Sequence, residues 1–325
     1  MYDVYVTRMV PEANLERLRQ LFDVEINAMD RPLTREELLA KVAGRDGIIS
    51  FLTDRIDGEL LDAAGPQLKI VANFAVGFNN LDVEAATRRG IVLTNTPGVL
   101  DDATATLTLA LLLATVRRVV EADRYIRAGR WTSAWSPTFF VGQDVAGKAL
   151  GIVGAGRIGR NVARKARAFD MRILYTKRHR DEDFERETGA VFMDKDRLLA
   201  EADFVSLHVP LLPETHHYIG ARELSTMKPS AIKINASRGP VVDEKALVEA
   251  LRNGTIWGAG LDVFEDEPAL APGLAELENV VIVPHIASAT PATRTAMGDA
   301  AIDNLVAVLS GEPPPSCVNP DVLRR

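Results

Sequence analysis

The run Ala149-Leu150-Gly151-Ile152-Val153-Gly154-Ala155-Gly156-Arg157-Ile158-Gly159 constrains this chain more than any other segment. A short apolar strand enters glycines spaced GxGxxG, and an amphipathic helix carrying Val162, Ala163, Ala166 and Phe169 follows. Such a strand-turn-helix unit belongs in a parallel α/β sheet, where it holds a dinucleotide. Gly154 turns the backbone out of the strand, Gly156 lets the helix N-terminus approach a pyrophosphate, and Gly159 removes a side chain that would hold helix from sheet. Three glycines alone are equally a tight turn; the flanking strand and helix turn the pattern into a cofactor site, with Ala155, Arg157 and Ile158 completing it.

The following strand bears on which dinucleotide. An NAD site places an Asp or Glu about 20 residues past the first glycine, at the end of the second strand. Here Met171-Arg172-Ile173-Leu174-Tyr175 runs into Thr176-Lys177-Arg178-His179-Arg180, while Asp170 lies at the wrong end and Asp181 comes late. Guanidinium, ammonium and hydroxyl donors with no opposing carboxylate suit a 2′-phosphate. The expectation is NADP(H) held by Thr176, Lys177 and Arg178, with NAD(H) the second option and a solvated basic loop the plain alternative.

At 325 residues the chain exceeds what one core usually organises, so two domains are expected. Its 38 basic and 45 acidic residues leave −7, which argues against nucleic acid or an anionic membrane as partner. A single cysteine, Cys317, cannot form an internal disulfide. Met1 to Thr7 reads as a first strand and not as a targeting segment, so the cytoplasm is expected. The apolar run Leu107 to Ala114 is shorter than the roughly 20 residues that a bilayer needs.

Short β-rich runs near residues 4–7, 24–27, 47–51, 69–73 and 91–94 alternate with helical patterns such as 14–21, 34–42 and 81–89. A second series has strands at 149–153, 172–176, 204–208, 231–235, 258–263 and 280–283. Both are doubly wound parallel patterns, so the fold class is α/β. One helix is expected from Asp101, with Gly129 beyond its end, placed to bridge the domains.

Ligands in open α/β sheets bind beyond the carboxyl ends of strands. Three polar residues stand there: Arg238 in Asn235-Ala236-Ser237-Arg238-Gly239, Glu267 past Gly260-Leu261-Asp262-Val263-Phe264, and His285 after Val281-Ile282-Val283-Pro284. Singly they read as a surface salt bridge, a loop acid and a structural histidine. Together, beside a dinucleotide turn, they form a set for reducing a 2-oxo acid: Arg238 binds the carboxylate or carbonyl, His285 donates a proton, and Glu267 keeps the imidazole cationic. His208, His216 and His217 lack such an arrangement. No metal-ligand spacing is visible, and hydride transfer needs no metal.

With Asn73 to Asp82, Asn95-Thr96-Pro97-Gly98-Val99-Leu100, Glu265-Asp266-Glu267-Pro268 and Pro284-His285-Ile286 in the same order, the chain resembles the D-isomer-specific 2-hydroxyacid dehydrogenases, in their glyoxylate and hydroxypyruvate reductase branch. The resemblance implies a Rossmann cofactor domain over 99–286 and a flavodoxin-like, discontinuous substrate domain formed by 1–98 and 287–325. It implies Arg238, Glu267 and His285 as the catalytic set, a small 2-oxo acid substrate and a homodimer. It further implies that the amides of Val76 and Gly77 bind the substrate carboxylate, that Leu52 lines the pocket, and that Thr104, Pro210, Ala236 and Asp262 meet the cofactor. Trp135 resembles a segment that in the family reaches the neighbouring subunit. The family also holds D-glycerate and 2-ketogluconate types, and co-repressors that sense NAD(H) without turnover.

Overall fold

The computed structural model describes residues 1–29 and 31–324. The chain divides into two compact units, Met1–Leu100 with Ser288–Arg325, and Asp101–Ala287.

The first unit runs β1 (Asp3–Val6), α1 (Glu12–Leu21), β2 (Asp23–Ile26), α2 (Arg35–Val42), β3 (Gly47–Ser50), α3 (Gly58–Ala64), β4 (Ile70–Asn73), α4 (Val83–Arg88) and β5 (Val92–Thr94). Its strands form one parallel sheet, in the order β2-β1-β3-β4-β5. β3 and β4, central in the sheet, are buried along their length and apolar up to their last residues, Ser50 and Asn73, as strands covered on both faces are. Helix starts carry their own capping groups. Thr34 and Glu37 form a reciprocal capping box at α2, and the Asp57 and Asp82 carboxylates accept the Leu60 and Ala85 amides at α3 and α4. The residue pattern had not singled out α3, although Asp57 marks its start.

The second unit continues with α5 (Asp101–Val116), α6 (Val119–Arg127), β6 (Ala149–Val153), α7 (Arg157–Arg167), β7 (Arg172–Thr176), α8 (Glu182–Thr188), β8 (Val191–Phe192), α9 (Lys195–Glu201) and β9 (Phe204–Leu207). It then adds α10 (Ala221–Thr226), β10 (Ile232–Asn235), α11 (Glu244–Arg252), β11 (Gly258–Leu261) and β12 (Val280–Ile282). The chain afterwards returns to the first unit as α12 (Pro291–Leu309), which packs on α1 and β4. The second sheet is also parallel, ordered β12-β11-β10-β9-β6-β7-β8, so the strand order reverses between β6 and β9. Alternation along β6 sends Leu150 and Ile152 into the layer with α5 and α7, and Ala149 and Val153 into the layer with α9 and α11.

The helix expected to run unbroken from Asp101 is two helices bent by 62°. Arg118 adopts a left-handed φ of 53° at the break, and the Val116 carbonyl, which would have continued the helix, accepts the Gln143 amide instead. Gly142 makes that approach feasible, because a Cβ there would lie 2.3 Å from the Val116 oxygen. α5 packs on α7, β10 and β11 inside its own unit. Among the described residues no single helix is long and apolar enough to cross a membrane.

A lysine is among the polar residues buried in the core. Lys233 lies in β10 between Ile232 and Ile234, is fully buried, and its Nζ has no hydrogen-bond partner. Burial pushes its ammonium down to about 7 against a modest upward pull from Glu244. Between that value and the ordinary lysine range the unfolded chain binds the extra proton, so stability rises with pH across this window. Lys233→Met is therefore expected to raise the melting temperature at neutral and lower pH, by the equivalent of about 1 kcal/mol or more, with the gain vanishing toward pH 10.5. Melting curves of both proteins across that range check it, and a gain independent of pH would contradict the buried-amine reading.

Candidate active site

The glycine turn sits between β6 and α7, at the point where the strand order reverses. Gly154 has φ 96°, and a Cβ on it would lie 2.8 Å from the His208 carbonyl. At Gly159 a Cβ would lie 2.5 Å from the Gly154 oxygen, so helix and turn touch through bare backbone. Around Gly156 there is open space, and no side chain caps the α7 N-terminus that it begins. Exposed helix-terminal amides beside a cradle that only glycine tolerates fit a pyrophosphate.

Past β7, the basic stretch has more counter-charge than the sequence suggested. Lys177 Nζ lies 2.9 Å from Asp181, Arg160 reaches the same carboxylate at 3.1 Å, and Arg178 pairs with Glu214 at 3.2 Å. Asp181 comes late in the chain but is folded back, because it caps α8 by accepting the Phe184 amide, and its own amide is held by the Tyr175 hydroxyl at 2.8 Å. The hydrogen bond from Lys177, followed by the one from Phe184, holds its carboxyl down near 2. Thr176 is buried and its carbonyl accepts the Gly154 amide.

Arg238, Glu267 and His285 follow β10, β11 and β12 in turn. Asn235, at the end of β10, shapes the first loop: its side-chain oxygen accepts from Ser237 and its amide donates to the Arg238 carbonyl at 3.0 Å. Next to Arg238, a Cβ on Gly239 would lie 1.8 Å from the Phe264 carbonyl oxygen. The loops bearing Arg238 and Glu267 are thus pressed together, backbone to backbone, at a contact that requires glycine. Glu267 Oε1 accepts the Phe264 amide at 2.9 Å, and Oε2 accepts from His285 Nδ1 at 2.9 Å. Burial would raise the Glu267 carboxyl, but the His285 hydrogen bond and charge, with help from Phe264 and Arg238, hold it below the usual carboxylate range. Desolvation lowers the Arg238 guanidinium, and the Glu267 charge offsets part of that.

His285 has a left-handed φ of 52°, an uncommon conformation for a residue with a Cβ. Asp262 enforces it. Its backbone carbonyl accepts the His285 amide at 2.9 Å, and its buried carboxylate accepts the Ile286 and Ala287 amides at 2.6 and 3.0 Å. Fixing Nδ1 on Glu267 leaves Nε2 as the nitrogen available for proton transfer. The pair keeps 30% and 34% of its side-chain surface in solvent, enough to meet a small ligand.

The other expected positions are scattered through both units. In the second, Thr104 is buried in α5, Ala236 is buried just after β10, and Pro210 is exposed past β9. In the first, Leu52, Val76 and Gly77 are half-buried, and the Val76 and Gly77 carbonyls are tied back by Asn95 at 2.8 Å and Asn73 at 3.0 Å. Trp135 is 83% exposed. His208 contacts Ser206 at 2.8 Å, and burial lowers its imidazole to about 4, so it is neutral. One grouping escaped the sequence reading: His216, His217 and Glu265 place ligand-type atoms within 4.8 Å of one another. A partner 48 residues away gives no spacing signal.

Residues 109–287 match the D-isomer specific 2-hydroxyacid dehydrogenase, NAD binding domain. The chain belongs to the D-isomer-specific 2-hydroxyacid dehydrogenase family, and its second unit is the family's nicotinamide-cofactor domain. Within the family its similarity lies with the glyoxylate reductase branch. A glyoxylate reductase of Korarchaeum cryptofilum is 51% identical over 323 residues, covering 99% of this chain and 97% of that protein. Among solved structures, the TT0316 protein of Thermus thermophilus is 48% identical with a TM-score of 0.90, over 97% of this chain and 99% of its own. An NADPH-dependent glyoxylate/hydroxypyruvate reductase of Sinorhizobium meliloti, solved with NADP and malonate, is 36% identical with a TM-score of 0.84, over 98% and 96%.

Proposed function

We propose that this chain reduces glyoxylate to glycolate, and hydroxypyruvate to D-glycerate, with NADPH as the preferred cofactor. The observation that carries the reading is the 2.9 Å pairing of His285 Nδ1 with Glu267, on loops that also bring Arg238 alongside through the Gly239 contact. The glycine turn would hold the pyrophosphate of a reduced nicotinamide dinucleotide, which when bound would supply the hydride for the substrate's carbonyl carbon. His285 gives a proton from Nε2 to the carbonyl oxygen as negative charge develops there, and Glu267 stabilises the cationic imidazole before transfer. Arg238 holds the substrate by carboxylate or carbonyl, its planar fork setting the angle.

The family resemblance supports further roles. The Val76 and Gly77 amides take the substrate carboxylate and Leu52 lines the pocket, while Thr104, Pro210, Ala236 and Asp262 meet the cofactor. Thr176, Lys177 and Arg178 meet the 2′-phosphate. We also infer a cytoplasmic homodimer. Val119, Ile126, Trp131, Trp135, Phe139 and Val141, all exposed on α6 and the segment after it, supply the apolar surface that such an interface needs.

The test is nicotinamide oxidation over a panel of glyoxylate, hydroxypyruvate, pyruvate and 2-ketogluconate, each with NADPH and with NADH. Glyoxylate with NADPH should give the highest kcat/KM, with hydroxypyruvate next. A maximum at 2-ketogluconate would move the chain to another branch of the family, and no turnover of any acid would point to a cofactor-sensing protein.

A further inference from the structure

We propose that His216, His217 and Glu265 bind one divalent transition-metal ion of the zinc class, partly on the loop that also carries Glu267 but through side chains to which the reduction chemistry gives no role. Two imidazoles and a carboxylate make a ligand set suited to zinc, nickel or copper, and three protein ligands with water in the fourth position complete a tetrahedral ion. Their ligand atoms already lie within 4.8 Å of one another. His217 Nε2 and Glu265 Oε1 are hydrogen-bonded at 2.5 Å. An ion in the proton's place would spread them to about 3.3 Å, as ligand bonds near 2 Å at tetrahedral angles require. Because Glu265 is only half-buried and His217 is exposed, a movement of this size needs no repacking of the core.

The backbone under the trio is fixed, which lowers the cost of assembling the ligands. The His216 amide donates to the Leu212 carbonyl at 3.0 Å and the His217 amide to the Pro240 carbonyl at 2.8 Å. Thr215, buried beneath them, accepts the Leu212 amide at 2.8 Å and donates to the Pro210 carbonyl. His217 takes a left-handed φ of 48°, and its ring lies against that of His216, centroids 4.1 Å and planes 30° apart, so the two exposed rings swing out of this stack when their in-plane lone pairs turn to one ion. On the other side, Glu244 and Glu265 exchange backbone-to-carboxylate hydrogen bonds at 3.0 and 3.2 Å. A simple ion pair would need His217 and Glu265 alone. His216 brings a third ligand atom to the same place, from a different element than Glu265.

Calorimetric titration of the chelator-treated full chain with zinc chloride tests the assignment, with the visible absorption of Co²⁺ reporting coordination number. One equivalent of zinc should bind, Co²⁺ should show the strong bands of a four-coordinate ion, and zinc should raise Tm. His216→Ala and, separately, Glu265→Gln should each weaken zinc by at least about tenfold, the lower bound for loss of even an outer partner of a metal site. His179→Ala, an exposed histidine elsewhere, should leave affinity unchanged. Absence of binding in the unaltered chain, or equal affinity in the His216 and Glu265 variants, would overturn the site whatever the reductase assays show.

Discussion

His285→Ala is expected to lower kcat for glyoxylate reduction by about 10² to 10⁴-fold, the usual contribution of a positioned general acid, with NADPH affinity nearly unchanged. The selectivity follows from where the residue acts, since proton donation to the carbonyl oxygen matters in the transition state and not in cofactor binding. Because His285 holds φ 52°, a smaller residue there keeps the strain while losing the Glu267 contact. His285→Asn is the better control, as Asn tolerates that conformation and cannot act as an acid. Both variants should lose turnover alike. Wild-type rates in either, measured by NADPH oxidation and paired with a cofactor titration, would exclude His285 as the proton donor. Glu267→Gln removes the anion that His285 Nδ1 is bonded to, so kcat should fall while NADPH affinity is kept. It also removes a carboxylate held below its usual range. That stabilisation is present above the ordinary carboxylate range and is lost as pH falls through the depressed value, so the variant should lose stability at neutral pH and little in acid.

The second large effect concerns cofactor choice. Lys177→Ala with Arg178→Ala should weaken NADPH far more than NADH, because charge-assisted bonds to a 2′-phosphate are lost with one and absent with the other. Each such bond contributes roughly 1.5 to 3 kcal/mol when desolvated. Arg178, with 76% of its side chain exposed, falls below that range, whereas Lys177 is mostly covered at 32%. Asp181 enlarges the Lys177 effect. Once the ammonium is gone, the Asp181 carboxylate loses the group that does most to hold it down, keeps only the Phe184 amide and Arg160 against it, and repels a 2′-phosphate. A tens-fold fall in kcat/KM for NADPH, with NADH changed little, is the expected pattern. Adding Asp at Thr176 in that background should then favour NADH further by accepting ribose hydroxyls. Equal losses for both cofactors, or an unaltered chain that prefers NADH, would reduce the basic stretch to a solvated loop.

What was legible in the sequence follows from how local its cause is. The glycine turn could be read because Gly154 and Gly159 sit where backbone leaves no room for a side chain, with Gly156 open between them, and the central strands of both sheets because buried parallel strands are largely apolar runs. β8, two exposed residues, has no such run. The break between α5 and α6 was hidden, since the apolar run of α5 carries no stop signal, and the Val116 carbonyl is capped by the Gln143 amide, far along the chain, which Gly142 lets approach. Counting along the chain also misjudged Asp181, which a helix cap folds back onto Lys177. The 2.9 Å bond of Glu267 with His285 was anticipated from residue types at strand ends, whereas the Gly239 contact and the clasp of Asp262 on residues 286 and 287 depend on three-dimensional packing.

The most direct measurement is product stoichiometry: purified chain with NADPH and glyoxylate, following glycolate formed against NADPH consumed. One glycolate per NADPH, with the rate abolished by His285→Asn, is the result expected of a reductase working through this histidine. NADPH consumption without glycolate, or glycolate formed as fast by the variant, would contradict it.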